Sequence, residues 1–264
     1  MTEGPDPAWL YPAAFSLAGR LAVVTGARRG IGLATCGALA AAGADVVGVS
    51  VHLGADDGLV RSRVEAHGRR FWAMPADLAD RSAVRRLIDS LESLDRLPDI
   101  LVNNAGTIHR SPAVDYPLDA WDRLLEVNLT APFVLARDLG ARMAERGAGK
   151  IIFTASLLSF QGGINVAAYT AAKHGVAGLT RALSNELAPR GVNVNAVAPG
   201  YVETDNTQAL REDAVRSRAI LERIPAGRWA LPQDIAGAIV FLASPAADYV
   251  HGTVLPVDGG WLAR

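Results

Sequence analysis

The 264-residue sequence contains a single cysteine, Cys36, which excludes an intrachain disulfide framework and suits a reducing compartment. Its five histidines are scattered and, with that one cysteine, match no zinc-ligand spacing, so we predict no metal site. No apolar run approaches the roughly 18 residues that a membrane span requires. The segment before Arg20 lacks the basic start and the apolar stretch of a secretory signal. We therefore expect a cytoplasmic protein that does not bind membranes.

Clusters of positive charge are also missing. The sequence has 26 Lys and Arg residues against 27 Asp and Glu residues, for a net charge of −1, and no basic run is longer than a pair such as Arg28-Arg29. Nucleic-acid binding normally needs a concentrated basic surface, so we predict no nucleic-acid partner. Half of the residues are hydrophobic, which is typical of a globular protein with a large core.

Short runs rich in β-branched residues alternate with helix-length segments along most of the chain. Strands joined by crossovers of about ten or more residues form parallel sheets. We predict one α/β domain over residues 20–264, a Rossmann-type doubly wound parallel sheet with helices on both faces, and an irregular arm over residues 1–19. The strand candidates are residues 21–24, 45–49, 100–102, 150–153 and 192–197.

Two helices and one charged segment can be placed within this pattern. Asp80 and Pro232 each precede apolar residues at helical spacing, as expected at helix starts. The stretch from Asp205 to Pro225 is rich in Arg and Glu and follows a strand end. It is either a substrate lid over about residues 203–225 or an amphipathic helix with one solvated face.

A glycine-rich turn directly follows the first strand. Gly26, Gly30 and Gly32 precede a helical stretch, in the spacing Gly-x3-Gly-x-Gly. Such a turn lets backbone N–H groups and the positive end of a helix approach a phosphate, as in dinucleotide sites. The sequence therefore predicts a nucleotide-binding loop, with plain turn formation as the alternative.

The end of the second strand leaves the choice of cofactor open. An acidic residue about twenty residues beyond the glycine turn usually binds the ribose diol of NAD, whereas a basic group accommodates the phosphate of NADP. Ser50 occupies this position, and Arg28 or Arg29 could attract a phosphate. Asp77 and the turn 103–106 also follow strands, where ligands bind in open α/β sheets, although each is also ordinary turn chemistry.

Ser156, Tyr169 and Lys173 form the strongest chemical pattern. Tyr169 and Lys173 are four residues apart in a helical stretch, so their side chains share one face. A neighbouring cation lowers the pKa of a tyrosine from its usual value near 10, which makes the phenol a better acid and base. Ser156 follows the strand candidate 150–153 and can hydrogen-bond the reacting oxygen. The sequence predicts a proton-transfer site here.

In these motifs the chain resembles the short-chain dehydrogenase/reductase superfamily from about Phe15 to Arg264. The resemblance implies that Tyr169 is the general acid/base, that Ser156 orients the substrate oxygen, that Lys173 lowers the tyrosine pKa and binds the nicotinamide ribose, and that Asn128 holds a relay water. It also implies a homotetramer. The apolar pair Trp261-Leu262 is compatible with burial between the subunits. The implied cofactor-binding set is Gly26, Arg28, Arg29, Gly30, Ile31, Gly32, Ser50, Asp77, Leu78, Asn104, Ala105, Gly106, Tyr169, Lys173, Pro199, Gly200, Val202 and Thr204.

Segments at 159–164, 198–201, 206–208, 223–229 and 258–264 are similar to a subgroup that interconverts a hydroxyl and a ketone on six-carbon keto-deoxy sugar acids with NAD(H). The basic Arg28-Arg29 loop departs from that subgroup. We therefore expect NAD(H) to be the favoured cofactor and NADP(H) to be possible. An NADPH-dependent 3-oxoacyl carrier-protein reductase is the first alternative. A dinucleotide-binding sensor without turnover is the second.

Substrate contacts are a separate hypothesis. Arg110 lies just beyond the turn 103–106, and a guanidinium group fits a carboxylate in bidentate fashion. We expect Arg110 to bind the acid group, Gln161 and Asn165 to recognise hydroxyls, and Ser156 and Tyr169 to contact the reacting carbon's oxygen. An exposed loop arginine is the alternative for Arg110.

Overall fold

The computed structural model describes residues 13–54 and 58–264. Its core is a seven-stranded parallel sheet in the order β3-β2-β1-β4-β5-β6-β7. This confirms the predicted doubly wound sheet, because the strand order reverses on either side of β1. The strands are β1 Leu21–Thr25, β2 Asp45–Ser50, β3 Phe71–Pro75, β4 Ile100–Asn103, β5 Gly149–Thr154, β6 Val192–Pro199 and β7 Val254–Val257.

Helices cover both faces of the sheet. They are α1 Gly30–Ala41, α2 Gly58–Glu65, α3 Arg81–Glu92, α4 Leu118–Leu125, α5 Ala131–Arg146, α6 Ala167–Leu187, α7 Gln208–Glu212, α8 Ala214–Arg223 and α9 Pro232–Ala243. One apolar cluster joins the sheet to α1, α2 and α9, and a second joins it to α3, α5 and α6. Successive β1 residues alternate between them: Ala22 packs in the first cluster and Val23 in the second.

Local signals explain where several elements begin. The Asp80 carboxylate accepts a hydrogen bond from the Ser82 N–H and caps α3, and Pro232 is the first residue of α9, as predicted. Cys36 lies in α1 and is fully buried against the sheet. The short edge strand β7 was not among the strand candidates, since it has only four residues and contains Pro256, which cannot donate to a ladder.

The charged segment after β6 folds as a 3-10 turn at Asp205–Thr207, followed by α7 and α8. Ile220 and Ile224 of this segment pack with Leu157, Trp229 and Trp261 in a cluster that we call the lid cluster. Trp261 is 5% exposed within its own chain. Trp261 therefore packs against Ile220 and Ile224, and its burial within the chain leaves little of its side chain for a subunit interface.

The predicted arm of residues 1–19 is described only from Ala13. Residues 13–15 form a 3-10 turn, and Leu17 is buried and donates its N–H to the Ala42 carbonyl at 2.7 Å. Over residues 13–54 and 58–264, no helix is long and apolar enough to cross a membrane. The same residues contain no His, Cys, Asp or Glu cluster that could hold a metal ion.

Candidate active site

A cleft of about 560 Å³ opens at the carboxyl ends of the strands, where parallel sheets bind ligands. It brings together predicted residues from along the whole chain. Those on its wall are Gly26, Arg28, Arg29, Gly30, Ile31, Ser50, Asp77, Leu78, Asn104, Ala105, Gly106, Ser156, Tyr169, Lys173, Pro199, Gly200, Val202 and Thr204. Of the predicted cofactor set, only Gly32 is absent from the wall.

The glycine turn forms a narrow cradle at one side of the cleft. A side chain at Gly32 would overlap the Gly26 carbonyl, so this glycine permits the turn and does not need to touch the ligand. A Cβ at Gly26 would lie 2.9 Å from the Ala105 Cα, which shows how closely the turn meets the end of β4. No side chain caps the first turn of α1 at Arg29. Its free N–H groups suit the pyrophosphate of a dinucleotide.

Polar contacts fix the turn after β4. The Thr25 hydroxyl accepts hydrogen bonds from the backbone N–H groups of Asn104 and Ala105, each at 2.9 Å. The Asn104 amide donates to the Thr25 carbonyl at 3.0 Å. These bonds tie the ends of two adjacent strands together. The polar residues at this turn therefore shape the cleft as well as line it.

The end of β2 has the features of an adenosine site and lies next to the glycine turn, because the Ala27 N–H donates to the Val49 carbonyl at 3.2 Å. Ser50 ends β2, and Val51 and His52 follow it on the wall, with no carboxylate among them. Asp77 is held by the Ala79 N–H at 2.9 Å and by Arg123 at 3.4 Å. Ser50, Val51 and His52, the described residues at and after the end of β2 that line the cleft, therefore carry no carboxylate that would repel a phosphate on the adenosine ribose.

Ser156, Tyr169 and Lys173 meet on the cleft wall. Tyr169 and Lys173 lie one turn apart on α6, and the Lys173 ammonium lies 5.5 Å from the centre of the Tyr169 ring. The Lys173 Nζ donates to the Thr154 carbonyl at 2.6 Å. Ser156 begins a 3-10 turn and contacts Tyr169 through a side-chain hydrogen bond. The three side chains therefore lie close together, as the sequence predicted.

The electrostatics of Tyr169 differ from the expectation. Burial raises its pKa above the usual value, and the hydrogen bond with Ser156 and the positive charge of Arg110 only partly oppose this rise. Lys173 does not produce the expected lowering of the tyrosine pKa. Burial lowers the pKa of Lys173 itself to about 8, so its ammonium is a weaker source of positive charge than a surface lysine.

Asn128 lies behind the cleft wall. It belongs to a π-helical turn, Glu126–Thr130, between α4 and α5. Its side chain donates to the Thr107 carbonyl at 2.7 Å and accepts from the Thr107 N–H at 2.8 Å. The side chain thus fixes the segment after β4. Irregular π turns of this kind often occur beside functional sites.

Of the predicted substrate residues, Ser156 and Tyr169 are on the cleft wall, whereas Arg110, Gln161 and Asn165 are not. The exposed Arg110 donates to the Asn206 carbonyl at 3.2 Å, beside the lid segment. Gln161 accepts from the Trp261 indole N–H at 3.3 Å. Asn165 is exposed and has a positive φ of 61°, and its carbonyl accepts from the Ser111 N–H at 2.9 Å. Gln161 and Asn165 therefore have positions fixed by other parts of the chain.

Several wall residues were not identified from the sequence. Thr154 ends β5, Thr107 follows the turn 103–106, and neither carries a motif of its own. Asp205, Asn206 and Thr207 come from the first turn of the lid segment. Their position directly after Thr204 was the available signal, because that residue already belonged to the cofactor set.

Comparison with known proteins gives a consistent result. A family model described as enoyl-(acyl carrier protein) reductase matches residues 26–262. The 2-dehydro-3-deoxy-D-gluconate 5-dehydrogenase of Pseudoalteromonas atlantica is 54% identical over 250 residues, covering 95% of this chain and 98% of that relative.

Two solved structures are similar over nearly the whole chain. A Beutenbergia cavernae protein, provisionally named NAD(P)-dependent gluconate 5-dehydrogenase and crystallised with NADP at low occupancy, is 53% identical with a TM-score of 0.91, covering 95% of this chain and 100% of that one. An Agrobacterium tumefaciens protein, provisionally named 2-deoxy-D-gluconate 3-dehydrogenase and crystallised with NADP, is 52% identical with a TM-score of 0.90, covering 96% and 100%. The chain belongs to the short-chain dehydrogenase/reductase superfamily, as its motifs indicated, and is an oxidoreductase with a nicotinamide dinucleotide cofactor.

Proposed function

We propose that this enzyme transfers a hydride between a nicotinamide dinucleotide and a secondary alcohol or ketone of a keto-deoxy sugar acid, as a 2-dehydro-3-deoxy-D-gluconate 5-dehydrogenase does. The observation that carries the proposal is the grouping of Ser156, Tyr169 and Lys173 beside the glycine cradle in one cleft. The names of the relatives that are about half identical to this chain supply the substrate class.

The bound nicotinamide would accept or supply the hydride, and the protein would move the proton. Tyr169 exchanges that proton with the substrate oxygen, to which Ser156 donates a hydrogen bond. Lys173 donates to the Thr154 carbonyl and lies 5.5 Å from the centre of the Tyr169 ring, where it would bind the nicotinamide ribose. We propose that Asn128 holds the relay water, and its two side-chain bonds to the backbone of Thr107 fix its position.

Arg110 is the proposed anchor for the substrate carboxylate. Its charge is close enough to oppose the rise in the Tyr169 pKa, so an acid bound to Arg110 would lie near the phenol. Its hydrogen bond to the Asn206 carbonyl also connects it to the lid segment. We propose that residues 203–225 close over the substrate, with Gln161 and Asn165 near its hydroxyls.

The resemblance to the sugar-acid subgroup favours NAD(H), whereas the residues around the adenosine end permit NADP(H). Ser50 offers no carboxylate against a 2′-phosphate, and Arg28 and Arg29 lie on the same wall. The two similar structures crystallised with NADP support a nicotinamide dinucleotide cofactor and the use of NADP(H). We propose an enzyme that accepts both, working as a cytoplasmic homotetramer without a nucleic-acid or membrane partner.

The direct test is the initial rate of nicotinamide absorbance change with 2-dehydro-3-deoxy-D-gluconate, using NAD and NADP in parallel. Tyr169→Phe should abolish turnover and leave cofactor binding intact, because it removes only the exchangeable proton. Turnover with 3-oxoacyl substrates and none with the sugar acid would favour the acyl reductase. Cofactor binding without hydride transfer to any carbonyl compound would indicate a sensor.

A further inference from the structure

An ion pair crosses the mouth of the cleft, between the glycine turn and the lid segment. Arg29 Nη1 lies 2.7 Å from the Asp205 carboxylate, although the two residues are 176 positions apart. Both line the cleft. Their neighbours also meet, since a Cβ at Gly30 would lie 3.2 Å from the Thr204 methyl carbon. The pair therefore joins the two walls between which the dinucleotide would bind.

Both side chains of this ion pair are exposed, so another anion can reach Arg29. The Arg29 and Asp205 side chains are 69% and 64% exposed, and ion pairs between exposed side chains contribute little to stability. A ligand that presents a stronger anion can therefore displace Asp205.

The two nicotinamide dinucleotides differ by such an anion. NADP(H) has a phosphate on the adenosine ribose, with a charge of roughly −2 and geometry that suits a guanidinium fork, whereas NAD(H) has hydroxyls there. NADP(H) would thus compete with Asp205 for Arg29, and NAD(H) would leave the pair intact. Arg29 lines the same cleft as Ser50 and His52, and the glycine turn that carries it bonds to the end of β2 through the Ala27 N–H and the Val49 carbonyl. This arrangement makes the competition possible.

We propose that Asp205 is a specificity-determining residue that weakens the preference for NADP(H) by holding Arg29. The inference rests on the proposed dinucleotide chemistry and is independent of the sugar substrate. Asp205 also repels the pyrophosphate of either cofactor. That repulsion acts on NAD(H) and NADP(H) alike, so the ratio of their affinities is the quantity that reports the competition.

The test measures dissociation constants of NADH and NADPH by nicotinamide fluorescence, without substrate. In Asp205→Asn, we expect the ratio of the NADH to the NADPH dissociation constant to rise about three- to tenfold, the range expected for one charge-assisted contact. Glu203→Gln is the matched control. It removes one negative charge from the same segment, but its partner is Arg211, so the ratio should stay unchanged.

A second comparison isolates Arg29. In an Arg29→Gln background, Asp205→Asn should leave the ratio unchanged, because the group over which carboxylate and phosphate compete is gone. An equal gain for both cofactors, no change in the ratio, or the same shift in both backgrounds would overturn the role of Asp205. If the unaltered enzyme bound neither cofactor, the proposed function would fail with it.

Discussion

The Ser159 hydroxyl connects the two chain segments that carry the catalytic group. It donates to the Lys173 carbonyl on α6 at 2.7 Å and accepts from the Ser156 N–H at 3.3 Å. Ser159 is buried, so water does not readily replace these bonds. It therefore sets the distance between the serine turn and the helix that holds Tyr169.

Ser159→Ala should lower kcat by about tenfold, with cofactor affinity little changed, because Ser156 would lose its fixed position relative to the phenol. The hydrogen bond with Ser156 lowers the pKa of Tyr169, so loosening it should also raise the Tyr169 pKa that the pH profile of kcat reports. Ser90→Ala is the control, since that serine makes a similar bond to a helix carbonyl on the exposed surface of α3. A parallel loss of stability with an unchanged pH profile would assign Ser159 a purely structural role.

Lys173 makes stability depend on pH. Its pKa is about 8 in the folded protein against 10.5 for an exposed lysine, so the unfolded chain binds more protons between these values. The free energy of unfolding, measured by denaturant titration, should therefore rise relative to that of Lys173→Met from pH 7 to pH 10. The expected relative gain is about 2–3 kcal/mol. A constant difference would mean that Lys173 is not desolvated.

Spacing alone predicted that Ser156, Tyr169 and Lys173 would meet, because a strand end and one helix face determine their positions. The pKa of Tyr169 was not predictable in this way. It depends on burial and on Arg110, which is distant in sequence. Likewise, Gln161 is oriented by Trp261, one hundred residues later, and no local pattern encodes that contact.

At the scale of elements, α8 packs one apolar side against the lid cluster and exposes charged residues on its other side. Ile220 and Ile224 pack onto Trp229 and Trp261, and Arg223 lies 4.0 Å from the Trp261 ring centre. The segment is thus amphipathic, as one of the two interpretations predicted, and its role as a substrate lid stays a prediction.

Ile220→Ala should raise KM for the sugar acid several-fold and increase hydrogen exchange in residues 208–223, because the lid cluster would lose packing. Ile239→Ala is the comparison, since Ile239 is fully buried between α9 and the sheet. It should lose about 2–5 kcal/mol of unfolding free energy without a selective effect on KM. Identical effects of both substitutions would contradict a lid role.

Sequence periodicity located the central strands and the starts of α3 and α9 well, because burial on one or both faces repeats at fixed intervals. It did not reveal the π turn at Glu126–Thr130, whose extra residue leaves no compositional mark. The edge strand β7 was also missed, since a sheet edge tolerates proline and need not be continuously apolar.

At the scale of the molecule, the proposed homotetramer predicts a mass of about 110 kDa by light scattering, four times the 27.7 kDa chain. Trp261 does not support an interface, because it is buried in its own chain. Large apolar side chains that do remain open include Val114, Leu118 and Tyr249, the last 99% exposed. A mass of 27.7 kDa at micromolar concentration would exclude the tetramer.

The buried Cys36 has a consequence for how the enzyme responds to its surroundings. Burial raises the pKa of this thiol, so the reactive thiolate does not form at neutral pH, and the sequence holds no second cysteine to pair with it. Peroxide and glutathione disulfide thus find no accessible sulfhydryl in the folded chain. The rate should follow the ratio of oxidised to reduced nicotinamide and remain insensitive to the thiol–disulfide balance of the cell.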